Sequence, residues 1–312
     1  MTCSVTATQV LHGHESGRPR SLSLALVGKQ AQGLPATHSF LQRLPSELIT
    51  SIVELALLSV KPIVLATVSK ATHEHVNRVL YRTIVLSSVA STRNLSRTSL
   101  SSPHLLLLVK KLVLLYDSLP NQQVGGIVRA CKNLHTLRLP HLISAHGLDR
   151  HMHLEEIAIH SFADLRVNKE VPLGSPSALR RLRLGEPSEF GWVSPREMLA
   201  GFGNPEALTQ LQLSRKAGAN EDNDRAFRDE VVEILGEYRE LKVVVVSIYQ
   251  GHAWESAGSS VMKESYMWKI IEEVREVDKR VVIIEGQRGE WEKEDQDFQH
   301  GDGVDSRFWA RF

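Results

Sequence analysis

Cysteine is nearly absent from this sequence, which has only Cys3 and Cys131 in 312 residues. Two cysteines cannot form the disulfide framework that holds small secreted domains together, so a reducing compartment is expected. No apolar run approaches the roughly 18 residues that a membrane-spanning helix requires. The sequence therefore predicts a protein of the cytoplasm, the nucleus or both, with no membrane partner.

The chain also lacks an excess of charge of one sign, because 37 Lys and Arg residues stand against 36 Asp and Glu residues. The balance shifts along the chain. Residues 1–103 contain 10 basic and 4 acidic residues, whereas residues 215–312 contain 15 basic and 22 acidic residues. Neither part has the clustered basic face typical of nucleic-acid binding. We therefore expect no nucleic-acid partner.

The spacings that carry common catalytic chemistry are missing. The sequence has no P-loop, no Gly-x-Ser-x-Gly elbow, no His-Glu-x-x-His and no Cys-x-x-Cys. We predict that the chain is not an enzyme and holds no cofactor.

Histidine is the exception to this lack of chemical signals, because six of the 14 histidines lie between positions 135 and 160. A zinc site needs three or four converging ligands. These residues fall in predicted loops and at strand ends, where polar residues are common, so we predict no metal site. The pattern leaves open whether they converge, with an enzyme built around them as the alternative. The six are His135, His141, His146, His151, His153 and His160.

A repeated pattern, apolar-x-x-apolar-x-apolar, sets the expected architecture. Seven copies begin 20 to 33 residues apart, and each resembles the strand segment of a leucine-rich repeat. The segments between them have helical character. The pattern predicts an α/β chain in which short parallel strands and helices form an irregular leucine-rich-repeat-like solenoid. The copies begin at Tyr81, Val109, Leu134, Leu154, Leu179, Leu208 and Leu241.

Alternate residues of these strands are predicted to form one concave face, since side chains alternate along a strand. The middle of this face is polar, with an excess of arginine. We interpret it as a binding face for an acidic or phosphorylated segment of a protein substrate. The alternative is a solvated sheet face without a ligand. The predicted substrate-binding residues are Arg138, Arg181, Arg183, Gln210 and Gln212.

The valine run at 243–246 breaks the alternation, and a strand that is apolar on both faces is normally buried on both. The part of the chain from about residue 215 is therefore expected to cover that end of the sheet. Phe308, Trp309 and Phe312 are expected to dock on the body of the domain.

Near the N-terminus, the stretch LPSELITSIVELAL at 44–57 predicts a short helix with an unusually wide apolar arc. Leu44 and Pro45 mark its start, because proline suits the first helical turn. The apolar residues fill roughly 200°, about twice the stripe that a surface helix needs. The helix is either buried on most sides in its own domain, or divided between its own core and another chain.

Three short segments of this region resemble the F-box motif, especially that of the F-box-like proteins abundant in fungi. They are Leu44-Pro45, Val68-Ser69-Lys70 and Leu80-Tyr81-Arg82. The resemblance covers about 43 residues well and the leucine-rich region more loosely. The terminal DSRFWARF also resembles the aromatic ends of such proteins.

The resemblance implies a substrate-recognition subunit of a cullin–RING (SCF-type) ubiquitin ligase, with a Skp-type adaptor and a protein substrate as partners. Residues 1–40, rich in Ser, Thr, Gly, Gln and His and without sustained periodicity, are expected to form a disordered tail. The resemblance implies an F-box-like unit at 41–81 and a substrate-binding repeat domain at 82–312, with a cap from about 287. The residues implied to contact the adaptor are Leu44, Pro45, Leu48, Ile49 and Val68.

Two departures from the motif keep a second hypothesis open. Ala71-Thr72-His73 stands where the motif usually has a tryptophan, and Tyr81 replaces the tryptophan at its exit. The alternative is a leucine-rich interaction scaffold, in which a degenerate F-box shields the first repeat and has no ligase role.

Overall fold

The structure is a computed structural model, and the chain divides into two compact units between Leu80 and Tyr81. The expected tail at 1–40 and most of the expected cap lie outside the described residues. The described residues are 43–116, 122–141, 148–161, 176–186, 194–218, 220–250, 262–287 and 308–312.

The first unit contains three helices in its described part: α1 (Ser46–Leu57), α2 (Pro62–Ala66) and α3 (Lys70–Arg82), of which the last extends past the division. Pro45 precedes α1 and Pro62 opens α2, as expected for a residue whose missing N–H is not needed in the first turn. The α2 helix spans only five residues and ends before Val68.

The second unit is an α/β domain built on one eight-stranded sheet. All seven strand pairs are parallel, and the strands lie in the sheet in the order of the sequence. Each strand therefore pairs with the strands just before and after it in the chain. The strands are β1 (Thr83–Leu86), β2 (Lys111–Leu114), β3 (Thr136–His141), β4 (Glu156–Ser161), β5 (Arg181–Glu186), β6 (Gln210–Lys216), β7 (Val243–Tyr249) and β8 (Val281–Gly286).

The repeated sequence pattern determines where the strands start. Each of the first seven strands begins two residues after a copy of the pattern begins, so Leu134 precedes Thr136 and Leu208 precedes Gln210. The register aligns equivalent positions, with Leu182 paired to Leu211. The inward leucines thus stack from strand to strand in one row.

One face of the sheet packs against helices and contains the main hydrophobic core. Leu112, Leu137, Ile157, Leu182 and Leu211 are fully buried members of it, one from each of five consecutive strands.

No helix in the described ranges combines the length and the apolar character needed to cross a membrane. The described helices of this unit are α4 (Val89–Ser101), α5 (Pro103–Leu106), α6 (Gln122–Ala130), α7 (Pro195–Gly201), α8 (Glu221–Glu237) and α9 (Tyr266–Val277).

The close pairing of β7 and β8 makes one glycine necessary. Gly286 lies opposite Tyr249, and a Cβ atom at Gly286 would overlap the ring of this buried tyrosine. We expect Gly286→Ala to lower the free energy of unfolding by about 1–3 kcal/mol, as overpacking does. Gly125→Ala, in α6, meets no atom within 4 Å, and is expected to raise stability by about 0.5–1 kcal/mol. Urea unfolding of the two variants measures both effects, and equal effects would contradict the steric explanation.

Candidate functional site

The apolar surface of α1 is divided between two sides. Val53 and Leu57 are buried and form a small core with Val76 of α3, against which Ile49 packs. Ile49, Val53 and Leu57 are four residues apart, which places them on one face of the helix. This inner face holds the helical unit together.

The exposed apolar residues of α1, of α2 and of the residues that directly follow these helices form what we call the outer apolar surface. Single exposed apolar residues are ordinary on protein surfaces, but a set of seven within 21 residues marks an interaction site or an aggregation hazard. A helical unit of this size leaves more apolar surface than its own core can cover. The exposed residues are Leu48, Ile52, Leu55, Leu58, Ile63, Val64 and Val68.

The five residues predicted to contact an adaptor differ in their exposure. Leu48 is 51% exposed and Val68 is 67% exposed, and Pro45 is exposed as well. Leu44 and Ile49 are half-buried, and Ile49 packs on the inner core of the unit. Ile49 therefore serves the fold at least in part, whereas Leu48 and Val68 are available for a partner.

Sequence reasoning missed part of this surface. Leu58, Ile63 and Val64 are exposed, yet they were not assigned to a partner, because the motif resemblance does not pass through them. The wide apolar arc of α1 was the signal that could have extended the surface to Ile52 and Leu55.

The face of the sheet opposite the main core carries a row of polar side chains, which we call the polar row. Successive strands contribute equivalent positions to it, as in the pairing of Arg138 with Ala158 and of Arg183 with Gln212. Its arginine and lysine side chains are mostly buried, with Arg183 at 2% and Arg138 at 4% exposure. The members of the row are Lys111, Thr136, Arg138, Glu156, Arg181, Arg183, Gln210 and Gln212.

The single carboxylate in this row lies among four cationic side chains. Burial raises the pKa of Glu156, while Arg181, Arg183, Arg138 and Lys111 act in the opposite direction. Arg181 Nε lies 3.3 Å from Glu156 Oε2. The row thus carries a local excess of positive charge in a place from which water is largely excluded.

Arg183 is fixed by hydrogen bonds that run across three strands. Its Nε donates to Gln212 Oε1 at 2.9 Å, and Gln212 Nε2 donates to Ser247 Oγ at 2.8 Å. The guanidinium carbon also lies 3.8 Å from the centre of the Phe308 ring. Sequence reasoning placed Arg183 on this face but did not find its aromatic partner, which lies 125 residues further along the chain.

These positions bear on the five residues predicted to bind substrate. All five lie on the same face of the sheet, but Arg138, Arg183 and Gln212 are buried, and Arg181 and Gln210 are half-buried. Other parts of the chain therefore cover three of the five residues predicted to bind substrate. Reversing the charge of Arg183 would place a second buried carboxylate near Glu156. Such a variant is expected to destabilise the fold, so a loss of binding would not show that Arg183 contacts the substrate.

The described histidines show no metal centre. His135 stacks on His153 with ring centres 5.7 Å apart, and His135 Nδ1 lies 3.8 Å from Glu155 Oε1. Within the described ranges, no group of three or more His, Cys, Asp or Glu side chains could hold a metal ion. His146 and the side chain of His141 lie outside those ranges.

His151 is buried, and desolvation lowers its pKa below the ordinary value of 6.5. Below about pH 6.5 the unfolded chain takes up a proton that the folded state resists, so stability falls as the pH falls towards the folded-state pKa. We expect His151→Phe to remove this contribution, with a slope of at most about 1.4 kcal/mol per pH unit. Urea unfolding between pH 8 and pH 5 checks it, and parallel curves for variant and parent would contradict it.

Cys131 is fully buried in the main core, and burial raises the pKa of its thiol to about 12. The thiolate is the reactive form of cysteine. Cys131 therefore acts as a small packing residue of the main core.

Comparisons with protein-family models, with curated proteins and with solved structures find no match to this chain.

Proposed function

We propose that this chain is the substrate-recognition subunit of a cullin–RING (SCF-type) ubiquitin ligase. The helices α1 to α3 form an F-box-like unit that binds a Skp-type adaptor. The sheet domain is an irregular leucine-rich-repeat-like solenoid that holds a protein substrate. The chain performs no chemistry itself, and it raises the local concentration of the substrate beside a ubiquitin-carrying enzyme.

The outer apolar surface is the observation that carries this proposal. Leu48, Ile52 and Leu55 of α1 remain exposed although Val53 and Leu57 of the same helix are buried. Burying an apolar side chain of this size contributes roughly 1.5–3 kcal/mol before the costs of association. A surface of seven such residues is sufficient for a specific interface with another protein.

The order of the strands supports the repeat part of the proposal. A parallel sheet in which every strand neighbours the next one in the sequence is the expected result of stacked strand–helix repeats. The constant offset of two residues between pattern and strand indicates that each repeat contributes an equivalent unit.

Co-expression with a Skp-type adaptor tests the proposal. The full-length chain is expected to co-elute with the adaptor as a stable complex in size-exclusion chromatography. A known F-box protein, co-expressed with the same adaptor, is the positive control. If that control forms a complex and this chain does not, the ligase role is wrong.

The departures from the motif at Ala71-Thr72-His73 and at Tyr81 favour a second candidate. A scaffold with a degenerate F-box would keep its outer apolar surface for a different partner, and it would bind no Skp-type adaptor. The co-expression experiment separates the two candidates directly.

A further inference from the structure

Residues 308–312 lie on the sheet face that carries the polar row. Phe308 and Trp309 are buried and form a cluster with Val245 of β7, against which Val282 and Ile284 of β8 pack. The register pairs Gln212 with Val245, and Val245 with Val282. The two aromatic rings therefore continue the row that runs through Arg183.

The position of Arg183 suits an aromatic ligand. A guanidinium 3.8 Å from a ring centre makes a cation–π contact, and such contacts are stronger away from water. Because Gln212 and Ser247 hold the arginine in one orientation, little side-chain entropy remains to be lost when a ring stacks on it. The cation and its valine neighbours form a preorganised receptor for an aromatic side chain.

The segment that fills this receptor contacts the sheet through the side chains of Phe308 and Trp309. Its residues form one short turn, in which the amides of Arg311 and Phe312 donate to the carbonyls of Phe308 and Trp309. It is not a strand of the sheet. Trp309 Nε1 is buried without a hydrogen-bond partner in the described part of the chain, and an unmade hydrogen bond at a buried donor weakens a contact.

We propose that this face is a binding site for a protein segment with two adjacent aromatic side chains, and that residues 308–312 occupy it in cis until a substrate displaces them. A segment that also offers an acceptor to the indole position would bind better than the internal one. The proposal rests on the proposed function in assigning the substrate to this face. Beyond the proposed function, it states that the substrate presents a segment with two adjacent aromatic side chains. It also states that residues 308–312 compete with that segment for the site.

A peptide with the sequence of residues 306–312, SRFWARF, serves as the probe in a fluorescence-anisotropy titration. The full-length double variant Phe308→Ala/Trp309→Ala vacates the site. We expect it to bind the peptide at least tenfold more tightly than the parent chain does. A control peptide with alanine at both aromatic positions should not bind measurably.

A further variant links the binding to the arginine. In the double-variant background, Arg183→Gln is expected to weaken peptide binding by about twofold to thirtyfold, as loss of a cation–π contact predicts. No peptide binding to the folded double variant would overturn the proposal. So would a double variant that no longer unfolds cooperatively, because the aromatic pair would then be part of the core.

Hydrogen exchange on the unaltered chain gives a test without substitution. The amides of Arg311 and Phe312 are expected to exchange at least a hundredfold faster than those of β7, because the segment opens without unfolding the sheet. Equal protection would overturn the proposal. None of these measurements involves the adaptor, so their failure and a failure of adaptor binding are separate results.

Discussion

Aspartate at both Leu48 and Val68 is expected to abolish the complex with a Skp-type adaptor and to leave the chain folded. Both side chains are exposed, so a charge at either position costs the free chain little. In the complex each substitution removes an apolar contact worth roughly 1.5–3 kcal/mol and buries a carboxylate as well. The combined loss corresponds to at least about a hundredfold weaker binding. Isothermal titration calorimetry with the purified adaptor measures it.

Matched controls come from exposed apolar residues in the second unit. Leu100→Asp and Val277→Asp introduce the same charge at apolar positions that are more exposed still, at 84% and 89%, and both variants should bind the adaptor like the parent chain. Ile49→Asp is unsuitable for this test, because Ile49 packs against Val53 and its neighbours and the charge would disturb the core of the unit. Unchanged affinity of the Leu48→Asp/Val68→Asp variant would remove the outer apolar surface from the interface.

Asp224→Ala is expected to cause the largest loss of stability among the substitutions considered, about 3–5 kcal/mol, because it removes the buried carboxylate that the largely buried Arg215 contacts. Asp224 is 1% exposed. Arg215 Nε donates to its Oδ1 at 2.9 Å, and Arg215 Nη2 lies 2.8 Å from the same oxygen. This ion pair connects α8 with the C-terminal end of β6. Denaturant unfolding monitored by circular dichroism measures the loss.

The same helix offers a control for this prediction. Asp222 is paired with Arg225 at 3.4 Å at the surface, where such pairs contribute about 0–1 kcal/mol. Asp222→Ala should therefore be nearly neutral. The double variant Arg215→Met/Asp224→Leu removes both buried charges together and is expected to recover much of the stability. If Asp224→Ala is as mild as Asp222→Ala, the buried pair does not anchor the helix.

The strands could be predicted from the sequence because their signal is local. Inward leucines recur within six residues, and this spacing located seven strands to within two residues of their starts. The valine run at 243–246 predicted burial on both faces, and β7 has Val244 and Val246 in the main core and Val245 against Phe308. Such patterns can be recognised in a single sequence because side chains alternate between the two faces of a strand.

The covering of the polar row could not be predicted in the same way. Arg183 and Phe308 are far apart in the chain, and no short-range pattern connects a guanidinium with a distant ring. A polar side chain in a strand of alternating apolar and polar residues is predicted to be exposed unless its long-range partner is known. The division of α1 into an inner and an outer face was unpredictable for the same reason. Seven apolar residues of α1 are similar in sequence, and only contact with Val76 of α3 shows that Ile49, Val53 and Leu57 are the inner ones.

The sequential order of the strands has a consequence for how the sheet domain is made. Every strand finds its partner in the segment synthesised just before it, so no pairing has to wait for a distant part of the chain. Growth from the ribosome can add one strand at a time to an existing edge, and β1 forms the template. Errors near β8 then leave the earlier strands assembled, whereas a fault at β2 interrupts the addition of every strand that follows.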